Sequence, residues 1–125
     1  MKHLDSNTIF MCKEKLLAAK VDLLNRYKDA QKAIANMGDD RGGDEGDQTM
    51  RILAEKSSLL AQKRLREALL EVEMALARIE QGRYGICEET EEPIDVERLL
   101  AIPWTRFSIE GAESRESLKK QRTAD

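Results

Sequence analysis

The sequence predicts a mainly α-helical protein built on a long antiparallel coiled-coil hairpin, followed by a small apolar region and a C-terminal helix. The charged fraction is 36% and the aromatic fraction only 4%. Apolar residues recur at gaps of three and four along two long stretches, and a glycine-rich segment separates these stretches. High charge combined with heptad-like apolar spacing is typical of paired long helices rather than of a large compact core.

Composition also indicates which classes of protein to exclude. The formal net charge is −3, from 24 acidic and 21 basic residues, so we expect no direct DNA binding. No apolar run approaches the ~20 residues of a membrane span, and the start lacks the apolar region of a signal peptide. The two cysteines, Cys12 and Cys87, are too few for a disulfide framework. We expect a cytoplasmic protein without membrane association, acting as a monomer.

The first long helix follows a lead that we predict to be flexible over residues 1–8. His3 lies in this lead, where no neighbouring residue offers a second metal ligand. Polar residues from Asp5 to Thr8 offer N-caps, and Gly38 is suited to end the helix. The apolar seam between them follows a heptad period and should face a partner helix. The seam consists of Ile9, Cys12, Leu16, Ala19, Leu23, Tyr27, Ala30, Ile34 and Met37.

An acidic, glycine-rich segment at residues 39–49 joins the two helices and contains five acids, one base and three glycines. Glycine makes the backbone easy to bend, so the chain can reverse here. Composition alone leaves two interpretations open, an ordinary solvated loop and a functional acidic tip. A calcium loop starting at Asp40 is excluded, because Glu45 would replace the required glycine and Arg51 the bidentate glutamate.

The second long helix is predicted to begin near Asp47 or Gln48, with Asp47 as its cap, and to end at Gln81-Gly82. The coiled-coil hairpin therefore covers residues 9–81. Small residues dominate the half of the seam near the acidic segment, so we expect that end to be the less stable one. The seam consists of Ala54, Ser58, Ala61, Leu65, Ala68, Val72, Leu76 and Ile79.

Residues 82–111 are predicted to form a small globular region, with a short helix over 95–101. Trp104, the largest side chain, should contribute most to its core. Residues 112–125 are predicted to form a charged C-terminal helix and tail. The apolar set of the globular region is Val96, Leu99, Leu100, Ile102, Pro103, Trp104, Phe107 and Ile109.

Four short segments of this region carry a family resemblance: Tyr84–Thr90, Pro93-Ile94, Arg98-Leu99 and Ala101-Ile102-Pro103. They resemble the DksA/TraR family of bacterial regulators that bind RNA polymerase. The family has a zinc knuckle of the form C-x₂-C-x₁₇-C-x₂-C. Its four ligand positions fall here on Cys87, Thr90, Ser108 and Gly111, and structural zinc requires four sulfur or nitrogen donors. The resemblance therefore implies a degenerate zinc-finger-like region without zinc or another resident cofactor.

The resemblance extends to the acidic segment. Longer family members carry an Asp-x-x-Asp pair, followed two residues later by alanine, at the end of the hairpin. The corresponding residues are Asp44, Asp47 and Thr49, so both acids match and threonine replaces alanine. The resemblance implies a tip that enters the secondary channel of RNA polymerase and faces its active centre. Such a protein modulates initiation, as at ribosomal RNA promoters, and is not itself an enzyme.

The family often acts with the alarmone ppGpp in the stringent response. Basic residues of the second helix and just beyond the knuckle contribute to the family's nucleotide site. Arg64 matches one of them, whereas Glu71 and Ala112 stand at lysine positions. Because an acid disfavours a polyphosphate, we expect ppGpp synergy to be reduced or altered.

Two other functions remain open. A transcript-cleavage factor also inserts an acidic hairpin into the same channel, where its acids hold a second Mg²⁺ for hydrolysis. A non-catalytic coiled-coil adaptor would use the hairpin as a spacer with a solvated tip. A redox role for Cys87 is disfavoured, because no second thiol is near it in sequence.

Overall fold

The computed structural model describes residues 3–37 and 44–124, with side chains as far as residue 122. Over these ranges the helices are α1 (Ser6–Met37), α2 (Glu45–Glu80), α3 (Val96–Ala101) and α4 (Ile109–Ala124). The described ranges contain no strand, and an isolated antiparallel bridge joins Ile86 to Pro93. The prediction of a mainly α-helical fold with a long antiparallel hairpin is confirmed.

The chain divides into two units. One contains Met1–Ala18 and Glu71–Asp125. It therefore includes the start of α1, the end of α2, and the helices α3 and α4. The other contains Ala19–Leu70, in which the remainder of α1 and α2 form the antiparallel hairpin. No helix in the described ranges combines the length and apolar character that crossing a membrane requires.

The seam of α1 follows the predicted heptad pattern. Each of its nine predicted residues is buried or half-buried. Apolar residues off the seam are exposed, as at Phe10 (60%) and Val21 (61%). Asp5 provides the N-cap, since its Oδ1 accepts a hydrogen bond from the Thr8 N–H at 2.7 Å. Helix periodicity thus predicted which face of α1 is covered. The predicted stop at Gly38 lies outside the described residues.

The described part of the N-terminal lead, residues 3–8, differs from the flexible segment predicted over residues 1–8; residues 1 and 2 lie outside the described residues. Leu4 is buried, and His3 Nε2 donates a hydrogen bond to the Ile94 carbonyl at 3.2 Å. Gly85 makes this packing possible, because a Cβ at that position would lie only 2.8 Å from Leu4 Cδ1. The polar composition of the lead gave no sign of a contact with residues more than eighty positions away.

The N-terminus of α2 lies earlier than predicted. The helix begins at Glu45, and Asp44 rather than Asp47 supplies the cap, since Asp44 Oδ1 accepts a hydrogen bond from the Asp47 N–H at 2.9 Å. The predicted C-terminal stop is confirmed: Gly82 has φ +72°, and the Arg83 N–H donates to the Arg78 carbonyl at 2.9 Å. This is the left-handed glycine ending that sequence predicted.

The seam of α2 differs from the prediction in the hairpin unit. The predicted Ser58 is half-buried, but Ala54 and Ala61 are exposed, and Arg51 and Gln62 are half-buried instead. Apolar character suggested the alanines, but the position of the facing helix decides which residues are covered. Long polar side chains tolerate such places because their methylene groups bury while their polar ends stay hydrated.

The core of the other unit is centred on Tyr84 rather than on Trp104. Tyr84 is fully buried and its hydroxyl donates to the Pro103 carbonyl at 2.8 Å, whereas Trp104 remains 39% exposed. Burial raises the pKa of Tyr84, so the hydroxyl stays a hydrogen-bond donor. α3 occupies almost the predicted range, and α4 begins three residues before the predicted C-terminal segment. Among the described residues, the largest fully buried side chains are Tyr84, Leu16, Ile94, Leu99, Val72, Cys12 and Cys87.

Candidate functional site

The acidic tip is described from residue 44 onward, and residues 39–43 of the predicted segment lie outside the described residues. Asp44 and Asp47 are exposed. The Asp44 carboxylate caps α2, while Thr49 Oγ1 donates to the Glu45 carbonyl at 3.0 Å. The Thr49 hydroxyl therefore forms a hydrogen bond within the first turns of α2, which the alanine expected from the family could not form.

The first turn of α2 concentrates negative charge. Glu45 and Asp47 lie in this turn, next to the capping Asp44. The positive end of the helix dipole stabilises acids at this position and offsets part of their mutual repulsion. No group of three His, Cys, Asp or Glu side chains among the described residues could hold a metal ion. The described part of the tip therefore presents charge rather than a preformed metal cage.

The nucleotide-site positions inferred from the family have different surroundings. Arg64 is exposed on α2. Glu71 is half-buried and forms an ion pair with Arg106 at 3.3 Å. Arg106 also pairs with Glu88 at 3.2 Å. The acid at the family's lysine position is thus engaged by a cation of its own chain.

A cluster of two arginines around the Phe107 ring was not predicted from the sequence. The guanidinium groups of Arg106 and Arg115 lie 4.9 and 4.8 Å from the ring centroid. Arg115 also pairs with Glu89 at 3.5 Å. Cations over an aromatic face are attracted by its quadrupole, so this cluster ties the start of α4 to the knuckle. The sequence contains several acids and arginines in this region, but their order does not specify which residues meet.

A buried arginine supports the same region. Arg78 on α2 is almost fully buried, and its Nη2 donates to the Trp104 carbonyl at 3.4 Å. Burial lowers the pKa of Arg78, while the acids Glu88 and Glu71 oppose that effect. The heptad pattern placed no charge on this covered face, so Arg78 was not predicted to be structural.

The four knuckle positions meet in space. Cys87 Sγ accepts hydrogen bonds from Ser108 Oγ at 3.4 Å and from the Thr90 N–H at 3.5 Å. The Gly111 N–H donates to Ser108 Oγ at 3.0 Å. Burial raises the pKa of the Cys87 thiol, but the hydrogen bonds from Ser108 and Thr90 outweigh it and lower the pKa to about 6. A polar cluster centred on one sulfur therefore joins the two halves of the knuckle.

The sequence of this chain is similar to sequences of known proteins. The model of the prokaryotic dksA/traR C4-type zinc finger matches residues 82–117. The RNA polymerase-binding transcription factor DksA of Caulobacter vibrioides is 36% identical over 110 residues, which cover 83% of this chain and 72% of that protein. General stress protein 16O of Bacillus subtilis is 47% identical over 45 residues, covering 36% of this chain and 28% of that protein.

A solved structure agrees with these similarities. The structure of transcription factor DksA2 from Pseudomonas aeruginosa matches with a TM-score of 0.80 and 28% identity, covering 93% of this chain and 88% of that one. The class defined by this fold and site is a zinc-finger-type helical-hairpin regulator. The chain belongs to the DksA/TraR family.

Proposed function

We propose that this protein is a transcription regulator that binds RNA polymerase, inserts its acidic tip into the secondary channel and modulates initiation. The observation that carries the proposal is the pair of exposed acids, Asp44 and Asp47, at the start of α2. They occur in a chain that shares 36% identity with a DksA of Caulobacter vibrioides, which binds RNA polymerase.

The two acids play different parts in this mechanism. Asp44 orders the first turn through its hydrogen bond to the Asp47 N–H. Asp47 does not cap the helix, and its exposed carboxylate is the charge that would face the polymerase. A carboxylate moved from water into a partly desolvated channel interacts far more strongly with nearby cations. Binding of this kind shifts the polymerase between states of different stability on promoter DNA, without chemistry by the regulator.

The proposal is tested by transcription from a ribosomal RNA promoter with purified polymerase. The variant Asp44→Asn/Asp47→Asn removes both charges, and asparagine still caps a helix. The matched control, Glu67→Gln/Glu73→Gln, removes two exposed charges from the same helix. We expect regulation to be lost only in the tip variant, with polymerase binding retained by both.

Two outcomes would contradict the proposal. Failure of the wild-type protein to associate with polymerase would exclude direct binding. Full regulation by the tip variant would leave an adaptor with a solvated tip as the better interpretation. Cleavage of backtracked transcripts by the wild type, lost in the tip variant, would instead identify a cleavage factor.

We further propose that this regulator responds weakly to ppGpp. The support is the half-buried Glu71 at a family lysine position, where Arg106 is held by Glu71 and Glu88. A polyphosphate approaching this surface meets the acid Glu71, and Arg106 beside it is already paired. Phosphate recognition requires cations that are free to bind and no nearby acid, so both features should weaken ppGpp binding.

A further inference from the structure

The zinc knuckle that gives this family its name does not fit the residues present. Within residues 82–117 the sequence contains one cysteine, Cys87, and no histidine. Thr90 and Ser108 offer only hydroxyls at two ligand positions, and Gly111 offers no side chain at the last. A structural zinc site takes four sulfur or nitrogen donors in a tetrahedron, so this donor set is unsuitable.

The packing at Gly111 makes the misfit geometric as well as chemical. A Cβ built at residue 111 would collide with Cys87 Sγ. It would also lie 3.3 Å from Ser108 Oγ and from Glu89 Cβ. The sulfur therefore occupies the space through which a fourth ligand would project. A cysteine at this position would require Cys87 to move away from its present partners.

We infer that the knuckle is closed by the hydrogen-bonded sulfur of Cys87 in place of a metal ion. Zinc in a knuckle of this spacing joins one pair of ligands, at 87 and 90, to a second pair, at 108 and 111. Here the same two segments are joined by a relay, from the Gly111 N–H to Ser108 Oγ and from Ser108 Oγ to Cys87 Sγ. The Thr90 N–H completes the set of donors around the sulfur.

Backbone hydrogen bonds also hold the two segments of the knuckle together in place of a zinc ion. The Glu88 N–H donates to the Arg106 carbonyl at 2.9 Å, which links the two segments independently of the sulfur. Within the first segment, the Cys87 N–H donates to the Glu92 carbonyl at 2.8 Å. The turn is thus held by the protein's own groups, and the folded state does not depend on the supply of metal.

The first experiment measures zinc content and thermal unfolding of the full-length protein. Protein purified from zinc-supplemented culture is analysed by elemental mass spectrometry and melted with and without a strong chelator. We expect far less than one zinc per chain and an unchanged Tm. One zinc per chain, with a fall in Tm on chelation, would overturn the inference.

The second experiment tests the sulfur-centred relay itself. Ser108→Ala removes the hydroxyl between Gly111 and Cys87, and Ser114→Ala removes an exposed hydroxyl from α4 as the matched control. Loss of a hydrogen bond in a chain of this size corresponds to a fall in Tm of roughly 3–6 °C. We expect such a fall for Ser108→Ala and none for Ser114→Ala, and equal melting of the two variants would overturn the relay.

Gly111→Ala provides an independent variant, because its added methyl group meets the sulfur directly. We expect a larger fall in Tm than for Ser108→Ala, and a Tm equal to that of the wild type would contradict the packing described here. None of these measurements involves RNA polymerase, so their outcome is independent of the proposed function.

Discussion

Asp44 shows how one side chain serves both structure and charge. Its Oδ1 caps α2, while the residue remains exposed among the acids of the first turn. Sequence reasoning assigned the cap to Asp47, because capping residues are recognised by type and both positions carry aspartate. Only the backbone geometry shows which of the two begins the helix.

The two roles of Asp44 can be separated by substitution. Asp44→Asn keeps a capping side chain and should leave the free energy of unfolding nearly unchanged. Asp44→Ala should cost about 1 kcal/mol, because the Asp47 N–H loses its acceptor. Circular dichroism and denaturant unfolding measure both effects. Equal destabilisation by the two variants would show that the carboxylate charge, rather than the capping hydrogen bond, stabilises the helix.

Cys87 is expected to make stability depend on pH. Burial raises its pKa, but the hydrogen bonds from Ser108 and Thr90 outweigh burial and lower the pKa from the ordinary thiol value of 9.0 to about 6 in the folded state. Because the folded state favours the thiolate, the stabilisation is fully present above pH 9 and is lost as the pH falls through 6. The free energy of unfolding of wild type relative to Cys87→Ala should therefore rise between these values. A thiolate absorbance that appears only near pH 9 would contradict this.

At the scale of helices, the heptad pattern was reliable in α1 and less so in α2. The predicted seam of α1 is covered throughout. In α2 the predicted Ser58 is covered, but Arg51 and Gln62 are covered in place of the predicted Ala54 and Ala61. Alanine is compatible with either face of a helix, so its position carries little information. Three polar residues in the seam agree with the expectation that this end of the hairpin is the less stable one.

Neighbouring substitutions test the register of α2. Gln62→Leu places apolar surface in the seam and should stabilise the hairpin by about 1 kcal/mol. Ala61→Leu places the same side chain on the exposed face and should change stability little. Hydrogen exchange of amides in Ala19–Leu70 measures the effect locally. Greater protection in the Ala61→Leu variant would support the register predicted from sequence.

At the scale of the whole molecule, the ion pairs of Arg106 bear on how strongly a regulator of this family should respond to ppGpp. Arg106 links α2 to the knuckle through Glu71 and Glu88. The same pairing engages Glu71, which stands at a position where the family resemblance implies a lysine of the nucleotide site. We therefore expect a regulator whose activity depends more on its tip than on a nucleotide.

Charge removal at Glu71 tests this expectation. Glu71→Gln releases Arg106 from one partner and should strengthen the effect of ppGpp on transcription, whereas Glu73→Gln, an exposed neighbour, should not. The assay compares initiation with and without ppGpp for each variant. A wild-type response equal to that of a zinc-bearing relative, and insensitive to Glu71→Gln, would show that the acid does not limit binding.

The sequence by itself determined the helical class, the seam of α1, the glycine stop at Gly82 and the positions of the knuckle residues. These features depend on local periodicity, on backbone freedom or on fixed spacing, all of which are written along the chain. Tertiary structure decided the packing of Leu4 over Gly85, the register of α2 and the partners of Arg106 and Cys87. Such contacts join residues distant in sequence, and their energies depend on which surfaces meet.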